Sequence, residues 1–224
     1  MIEIFDCEQG SEEWFAARAG VPTASQFSTI MAQGKTKGSP SITRRKYMLT
    51  LIGEQLTGKI AEPYSNVHME RGKELEPEAR RLYSLMFATP LQTVGFIKRD
   101  RVGASPDSLV GKHGMLEIKT KLPHIQLDLL LSDVFPSEHY WQCQGQLWVA
   151  EREWVDFVSY WPGLPLYVKR LERDEEDIEL LATACDVFLA EMDRLCGQLK
   201  AMTFVEPTHY IREFPDLDKE TVNG

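Results

Sequence analysis

The spacing of apolar and polar positions divides the 224-residue chain into helical flanks and a β-rich middle. SEEWFAARAG reads as a short helix with Ser11 as its N-cap and Gly20 as the C′ glycine. VPTASQFSTIMA follows, with Thr23 or Ser25 as a further cap. Residues 42–57 predict a helix that stops at Gly58, with Ile42, Tyr47, Leu49 or Leu51, and Leu56 as its apolar positions. In RGKELEPEARRLYSLMF, residues 71–87, Leu75, Ala79, Leu82 and Met86 form one stripe. Pro77 suits a first helical turn, so the regular helix is expected to begin there, with Glu76 at its start. The period then changes. Residues 91–97, 102–110 and 115–119 have strand composition. Residues 137–150 return to helix behind Ser137, and 154–161 and 166–171 are two β-rich runs broken by Pro-Gly. The last element, 174–198, is a long amphipathic helix whose Ile178, Leu181, Cys185, Phe188, Leu189 and Met192 face the core.

This order predicts one domain over residues 1–224, of α/β (α+β) class, with a mixed central sheet flanked by helices on both sides. A helical region occupies about 10–60, and a polar tail about 205–224. The Gly/Ser-rich segment 33–41 reads as a loop.

Composition narrows the class. With 43% hydrophobic and 26% charged residues, the chain matches an ordinary globular protein. No apolar run is long enough for a membrane helix, and the N-terminus lacks a basic and apolar leader pattern. Cys7, Cys143, Cys185 and Cys196 form no CxxC pair and read as reduced thiols of a cytoplasmic protein. A net charge of −9 argues against a nucleic-acid partner if the sum decides. Its distribution is uneven, however. Lys35, Lys37, Arg44, Arg45 and Lys46 cluster near one end and acids crowd Glu172–Glu179, so a positive groove is compatible with the sum. Each cluster alone reads equally well as solvated surface. The five histidines show no ligand spacing.

The candidate chemistry lies in ASPDSLVGKHGMLEIKTK, residues 104–121. A three-residue hairpin loop centred on Lys112 pairs Val110 with Gly114. Counting outward puts Asp107 opposite Glu117, Lys119 on Glu117's face and Ser105 opposite Lys119, with Leu116 and Ile118 turned into the core. Two like charges face to face destabilise a plain sheet. They make sense around Mg²⁺, which favours carboxylate oxygens together with water and phosphate. The alternative is a solvated strand face with a Lys–Glu pair.

Ser105-Pro106-Asp107 followed by Glu117-Ile118-Lys119 resembles the Pro-Asp … Glu-x-Lys signature of a large nuclease superfamily. The rest of the chain sharpens the likeness. Trp14-x-x-x-Arg18, Thr23-Ala24-Ser25, Arg71-Gly72-Lys73-Glu74-Leu75-Glu76 with Ala79-Arg80, and Gln142-Cys143-Gln144 before Leu147-Trp148-Val149 occur in order. This series resembles the phage lambda-type exonuclease family of viral recombinases and spans residues 14–149. The resemblance implies a restriction-endonuclease-like core and a processive, Mg²⁺-dependent 5′-to-3′ exonuclease with two ions per active site, Mn²⁺ being able to substitute. Its substrate would be linear double-stranded DNA with a 5′-phosphate end, and its product a 3′ overhang for a single-strand annealing protein. It further implies a homotrimeric ring, no membrane, and the host cytosol of a bacterium or prophage. Residue by residue, Asp107, Glu117 and Glu76 match the metal-binding acids, with the Ile118 carbonyl also facing the metal. Lys119 matches the catalytic lysine and Gln142 the glutamine of the following helix. Arg18, Ser25 and Ser105, with Thr23 beside them, match the residues that grip the 5′-phosphate, and Met69 is placed as an apolar wedge at the DNA. Arg71 departs from the family pattern, where an aromatic stands, and the 35–46 loop does not follow it. Two other functional classes stay open on the residues: an endonuclease or junction resolvase on the same core, and a non-enzymatic DNA- or recombination-partner-binding module.

Overall fold

The computed structural model describes residues 1–34, 41–60 and 67–202, with backbone alone for 67–69. In chain order the strands are β1 (Ile2–Phe5), β2 (Leu91–Gln92), β3 (Phe96–Arg99), β4 (Val102–Ala104), β5 (Ser108–Val110), β6 (Gly114–Thr120), β7 (Trp154–Tyr160) and β8 (Tyr167–Glu172). They form a three-stranded antiparallel sheet in the order β1-β3-β4 and a five-stranded mixed sheet in the order β2-β5-β6-β7-β8. Only β6 and β7 in the larger sheet run parallel, and their crossover carries two of the helices. The helices are α1 (Glu12–Arg18), α2 (Phe27–Met31), α3 (Ile42–Thr57), α4 (Val67–Phe87), α5 (Pro123–Ser132), α6 (Tyr140–Ala150) and α7 (Glu175–Lys200).

Helices cover both faces of the larger sheet, as expected. On one face α4 lays Ala79 and Tyr83 on Leu116, Ile118, Val158 and Tyr160. On the other, Met115, Val155 and Phe157 join Cys143 and Leu147 of α6 and Leu181 and Phe188 of α7. Full burial of such side chains contributes roughly 1.5–3 kcal/mol each, so these two layers fix how the helices sit on the strands. All six core positions expected on α7 are buried, and the four cysteines are free thiols.

Local start and stop signals hold where the chemistry is local. Ser11 accepts from the Trp14 N–H at 3.2 Å, and Gly20 and Gly58 take left-handed φ values of 67° and 65° after their helices. Other expectations change. Helix α4 begins at Val67 and runs through Pro77, so Glu76 lies well inside it rather than at its start. The missing proline N–H removes one rung of the helix. Burial of Ala79 and Tyr83 offsets that loss, and Tyr83 takes the core place expected for Met86, which is 59% exposed. On α3 the buried residues are Met48, Leu51 and Ile52. Ile42, Leu49 and Leu56 recur every seven residues on an exposed face. Ser137 opens a short 3-10 turn instead of capping α6. Helix α5 escapes the periodicity because its apolar residues Ile125, Leu127, Leu129, Leu130 and Leu131 surround it, leaving Pro123 at N1 as the local signal.

Two expected strands are each split between the sheets. Residues 102–110 break at Ser105–Asp107, because Pro106 has no N–H for a ladder and its carbonyl accepts from Gln9 Nε2 at 3.1 Å. Residues 91–97 break before Phe96, where the N-terminal segment crosses so closely that a Cβ on Gly95 would lie 2.3 Å from the Cys7 carbonyl. The loop at 35–40 and the tail from 203 lie outside the described residues.

Candidate active site

The hairpin register is the one counted from Lys112: Val110 pairs with Gly114, Leu109 with Met115 and Ser108 with Leu116. Asp107 stands one residue beyond the last pair, opposite Glu117. Its N–H donates to the Leu116 carbonyl at 3.1 Å, and its Oδ2 accepts from the Ile118 N–H at 2.5 Å. Ser105 does not oppose Lys119. The chain has left the ladder at Pro106, and the Ser105 hydroxyl accepts from Trp14 and Arg18 instead.

Glu117 is only 2% exposed. A buried carboxylate is costly unless hydrogen bonds or charge answer it. Here Lys119 Nζ lies 2.5 Å from Oε1, Gln142 Nε2 donates to Oε1 at 2.5 Å, and Gln146 Nε2 donates to Oε2 at 2.6 Å. Gln142 and Gln146 are one turn apart on α6, so one helix face holds both carboxylate oxygens. Gln146 was not foreseen, although a Gln-x-x-x-Gln spacing marks such a pair. Gln144, between them, points elsewhere and ties the Glu172 carbonyl and the Asp174 N–H.

Glu76 reaches this region from α4. Being mid-helix, it gains little from the helix dipole, which acts within the first turn. Its carboxylate pairs with Arg80, whose Nη2 also donates to the Asp107 carbonyl at 3.1 Å and whose Nε donates to Ser108 Oγ at 3.0 Å. Partial burial and the charge of Glu117 hold the Glu76 carboxyl above its ordinary range against the pull of Arg80. Burial, Glu117 and Glu76 push Asp107 well up. For Lys119, burial works against the charge, but Glu117 and Asp107 outweigh it and hold the ammonium above the ordinary lysine range. Lys119 is therefore a fixed cation and a donor, not a base.

Beside the acids lies a second polar cluster. Arg18 stacks on the Trp14 ring at 4.0 Å, donates to Ser105 Oγ at 3.1 Å and reaches Thr23 Oγ1 at 3.5 Å. Thr23 Oγ1 is 3.3 Å from Ser25 Oγ. Burial lowers the Arg18 pKa to about 10, so it remains charged. Trp14 Nε1 donates to Ser105 Oγ at 2.9 Å and to the Gly95 carbonyl at 3.1 Å, and the Tyr47 hydroxyl accepts from the Thr23 N–H at 3.0 Å. Arg18 thus faces the hydroxyls of Ser105 and Thr23. A cleft of about 920 Å³ adjoins both clusters, with Trp14, Phe15, Lys73, Glu76, Arg80 and Asp107 among its lining. The side chain of Met69, and Lys35 and Lys37, lie outside the described residues.

Among the described residues, no three carboxylate, imidazole or thiol groups stand together as a ready metal cage. The donor chemistry nonetheless fits a hard divalent cation. Glu76, Asp107 and Glu117 are oxygen donors, and burial together with their mutual repulsion raises Asp107 and Glu76.

A mixed sheet between helices, with Pro106-Asp107 and Glu117-Ile118-Lys119 brought together at neighbouring strand ends, defines a nuclease core of the Pro-Asp … Glu-x-Lys type. Comparison with known proteins narrows this. Residues 13–153 match the YqaJ-like viral recombinase domain, and the chain belongs to that family. The alkaline exonuclease LHK-Exo of Laribacter hongkongensis is 36% identical, over 85% of this chain and 96% of that one, with a TM-score of 0.77. Its complex with dAMP gives 38% identity over the same shares and a TM-score of 0.76. A phage-related exonuclease of Haemophilus somnus 129PT, 16% identical over 80% of this chain and 96% of that one, shares the fold with a TM-score of 0.64. No match was found among the curated proteins. The chain is an enzyme, a DNA exonuclease and hydrolase, and its resemblance to the lambda-type exonucleases is borne out.

Proposed function

We propose that the protein is a Mg²⁺-dependent exonuclease that digests one strand of linear duplex DNA processively from the 5′ end, leaving a 3′ overhang for a single-strand annealing protein. The observation that carries this reading is the single turn shared by two sites. Ser105, gripped by Arg18, and Asp107, facing Glu117, are two residues apart on either side of Pro106. A group that holds a strand end therefore sits beside the group that cuts, which favours cleavage counted from an end over cleavage within a duplex.

Asp107, Glu117, Glu76 and the Ile118 carbonyl would hold the cations. When bound, two divalent ions would neutralise the phosphodiester and supply hydroxide near neutral pH. Lys119, kept protonated by Glu117, orients the attacking water and offsets charge developing on the phosphate. Gln142 and Gln146 hold Glu117 in one orientation. Arg18, with its planar fork, takes a terminal phosphate together with the hydroxyls of Thr23, Ser25 and Ser105, and the Trp14 ring stacked on it fixes the orientation of that fork. Met69 would be the apolar wedge at the DNA. A trimeric ring with a positive lumen and an acidic exterior reconciles the net charge of −9 with a DNA substrate. The place of action is the host cytosol; among the described residues no helix is long and apolar enough to cross a membrane.

The test compares linear duplexes with and without a 5′-phosphate, and a covalently closed circle, each with Mg²⁺, with Mn²⁺ and with chelator. The phosphorylated linear duplex is digested fastest, and chelator stops digestion. Cleavage of the closed circle at a comparable rate would establish an endonuclease instead.

A further inference from the structure

One guanidinium joins the two halves of the acidic site. Arg80 lies one turn after Glu76 on α4, and its Nη2 donates both to the Glu76 carboxylate and to the Asp107 carbonyl. Its Nε donates to Ser108 Oγ, and that hydroxyl donates in turn to the Asp107 carbonyl at 2.6 Å. The two acids depend on Arg80 to different degrees. Asp107 is also held by its own N–H on Leu116 and by the Ile118 N–H on its carboxylate, while Gln9 Nε2 holds the neighbouring Pro106 carbonyl. For the Glu76 carboxylate, among the described residues, Arg80 is the hydrogen-bonding partner. Glu76 is thus matched to a guanidinium on its own helix, while Glu117 and Asp107 lie close enough to act on it through charge.

We propose that Arg80 is the resident counter-ion of Glu76, and that a divalent cation binds by displacing it: Glu76 exchanges the guanidinium for the metal while Arg80 keeps its hold on the Asp107–Ser108 backbone. This rests on the metal-dependent reading above. Arg80 is a positioning residue in this scheme. Its charge, paired with Glu76, offsets part of the repulsion among the three carboxylates. Its positive charge also sets the metal affinity lower than the acids alone would give.

The sign of the effect separates this role from a merely structural one. Mg²⁺ and Mn²⁺ binding to the DNA-free protein is measured by isothermal titration calorimetry. Arg80→Gln removes the competing charge and tightens binding by about tenfold, the effect of one unit charge on a divalent ion a few ångströms away in a wet site. Arg80→Lys keeps a cation there and stays within about twofold of the wild type. If Arg80 only braced the fold, both variants would loosen the site and bind metal more weakly. That result, an unchanged affinity in Arg80→Gln, or equal tightening in both variants, overturns the proposal. A second readout uses the wild-type protein and is independent of whether Arg80→Gln folds. The arginine Nε–Hε NMR resonance that is missing from the Arg80→Lys spectrum must move when Mg²⁺ is added, and a resonance that stays still rules the exchange out. Loss of cleavage in Asp107→Ala together with unchanged metal affinity in Arg80→Gln would sink this inference alone, whereas cleavage by Asp107→Ala would sink the functional reading.

Discussion

Glu117 and Asp156 are each 2% exposed and sit on the adjacent strands β6 and β7, yet their surroundings differ in kind. The register aligns Leu116 with Asp156 and Glu117 with Phe157, so the two acids leave opposite faces of the sheet. Asp156 is balanced. Arg170 donates to both its oxygens at 2.8 and 2.9 Å, the Tyr83 hydroxyl donates at 2.6 Å, and the guanidinium stacks on Trp154 at 3.6 Å. One acid meets one base, and the group latches β7, β8 and α4 together. Glu117 is equally well hydrogen-bonded, but Asp107 and Glu76 lie close by, and the nearby cations are Lys119 and Arg80. Three acids facing two bases leave an excess of negative charge, which adds to burial in raising the carboxyls of Asp107 and Glu76. The contrast teaches that burial of an acid does not by itself mark function. Charge left unbalanced inside a well-bonded frame does.

Removing Asp107 tests the contrast most sharply. Asp107→Ala should reduce cleavage by about a thousandfold or more. Its melting temperature should hold or rise, because a group crowded by Glu117 and Glu76 has been removed. A large loss of stability would mean that this acid is structural, like Asp156. Arg170→Ala should behave in the reverse way. Leaving Asp156 buried without its base should cost about 3 kcal/mol in urea unfolding, with activity per folded molecule near the wild type. An unchanged midpoint would remove the distinction between the two acids.

His139 extends the comparison to the edge of the site. It stacks on Phe157 at 5.1 Å, with Nε2 2.8 Å from Lys121 Nζ, and burial together with Lys121 and Lys119 lowers its pKa to about 4. Between pH 6.5 and 4 the unfolded chain therefore binds more protons at this residue than the folded one does. Its contribution is complete above pH 6.5 and is lost as the pH falls toward 4. Over that range the wild type should lose about 2 kcal/mol more than His139→Gln, read from urea midpoints at each pH. Parallel pH curves would show that His139 is exposed to solvent. The smallest effect belongs to Gln146→Leu. It deprives Glu117 of one donor, but it also removes the Gln146 Oε1 acceptor, which is buried without a partner. The two changes partly offset, so the expected cost is about 1 kcal/mol, with a modest fall in rate. A loss several times larger would show that Glu117 hangs on Gln146 rather than on Lys119 and Gln142.

Much of this site was readable before the fold. A hairpin turn sets its own register, so counting from Lys112 placed Asp107 opposite Glu117 and Lys119 on the same face. The caps at Ser11, Gly20 and Gly58 were equally local. The Arg18 hydroxyl pocket was legible through likeness to a family, since nothing in the spacing of Arg18, Thr23, Ser25 and Ser105 announces that they meet. Arg80 and Gln146 lie in the same helices as Glu76 and Gln142 at i,i+4 spacing. Such pairs are common on exposed helices, and only their contact with the hairpin makes these two informative.

The residues alone determined the hairpin, the helix-end signals at Ser11, Gly20 and Gly58, the α7 stripe and the presence of an acid-acid-lysine set, because each depends on groups a few positions apart. The tertiary structure decided the rest. Pro106 and the close crossing at Gly95 divided two runs between two sheets. Packing of Ala79 and Tyr83 carried α4 through Pro77 and so moved Glu76 away from a helix end. Folding then brought Arg80 within reach of a backbone 27 residues away and Gln146 within reach of an acid 29 residues away. These contacts join segments whose meeting is set by burial of the apolar layers on both faces of the sheet, and no local pattern encodes which polar groups that burial brings together.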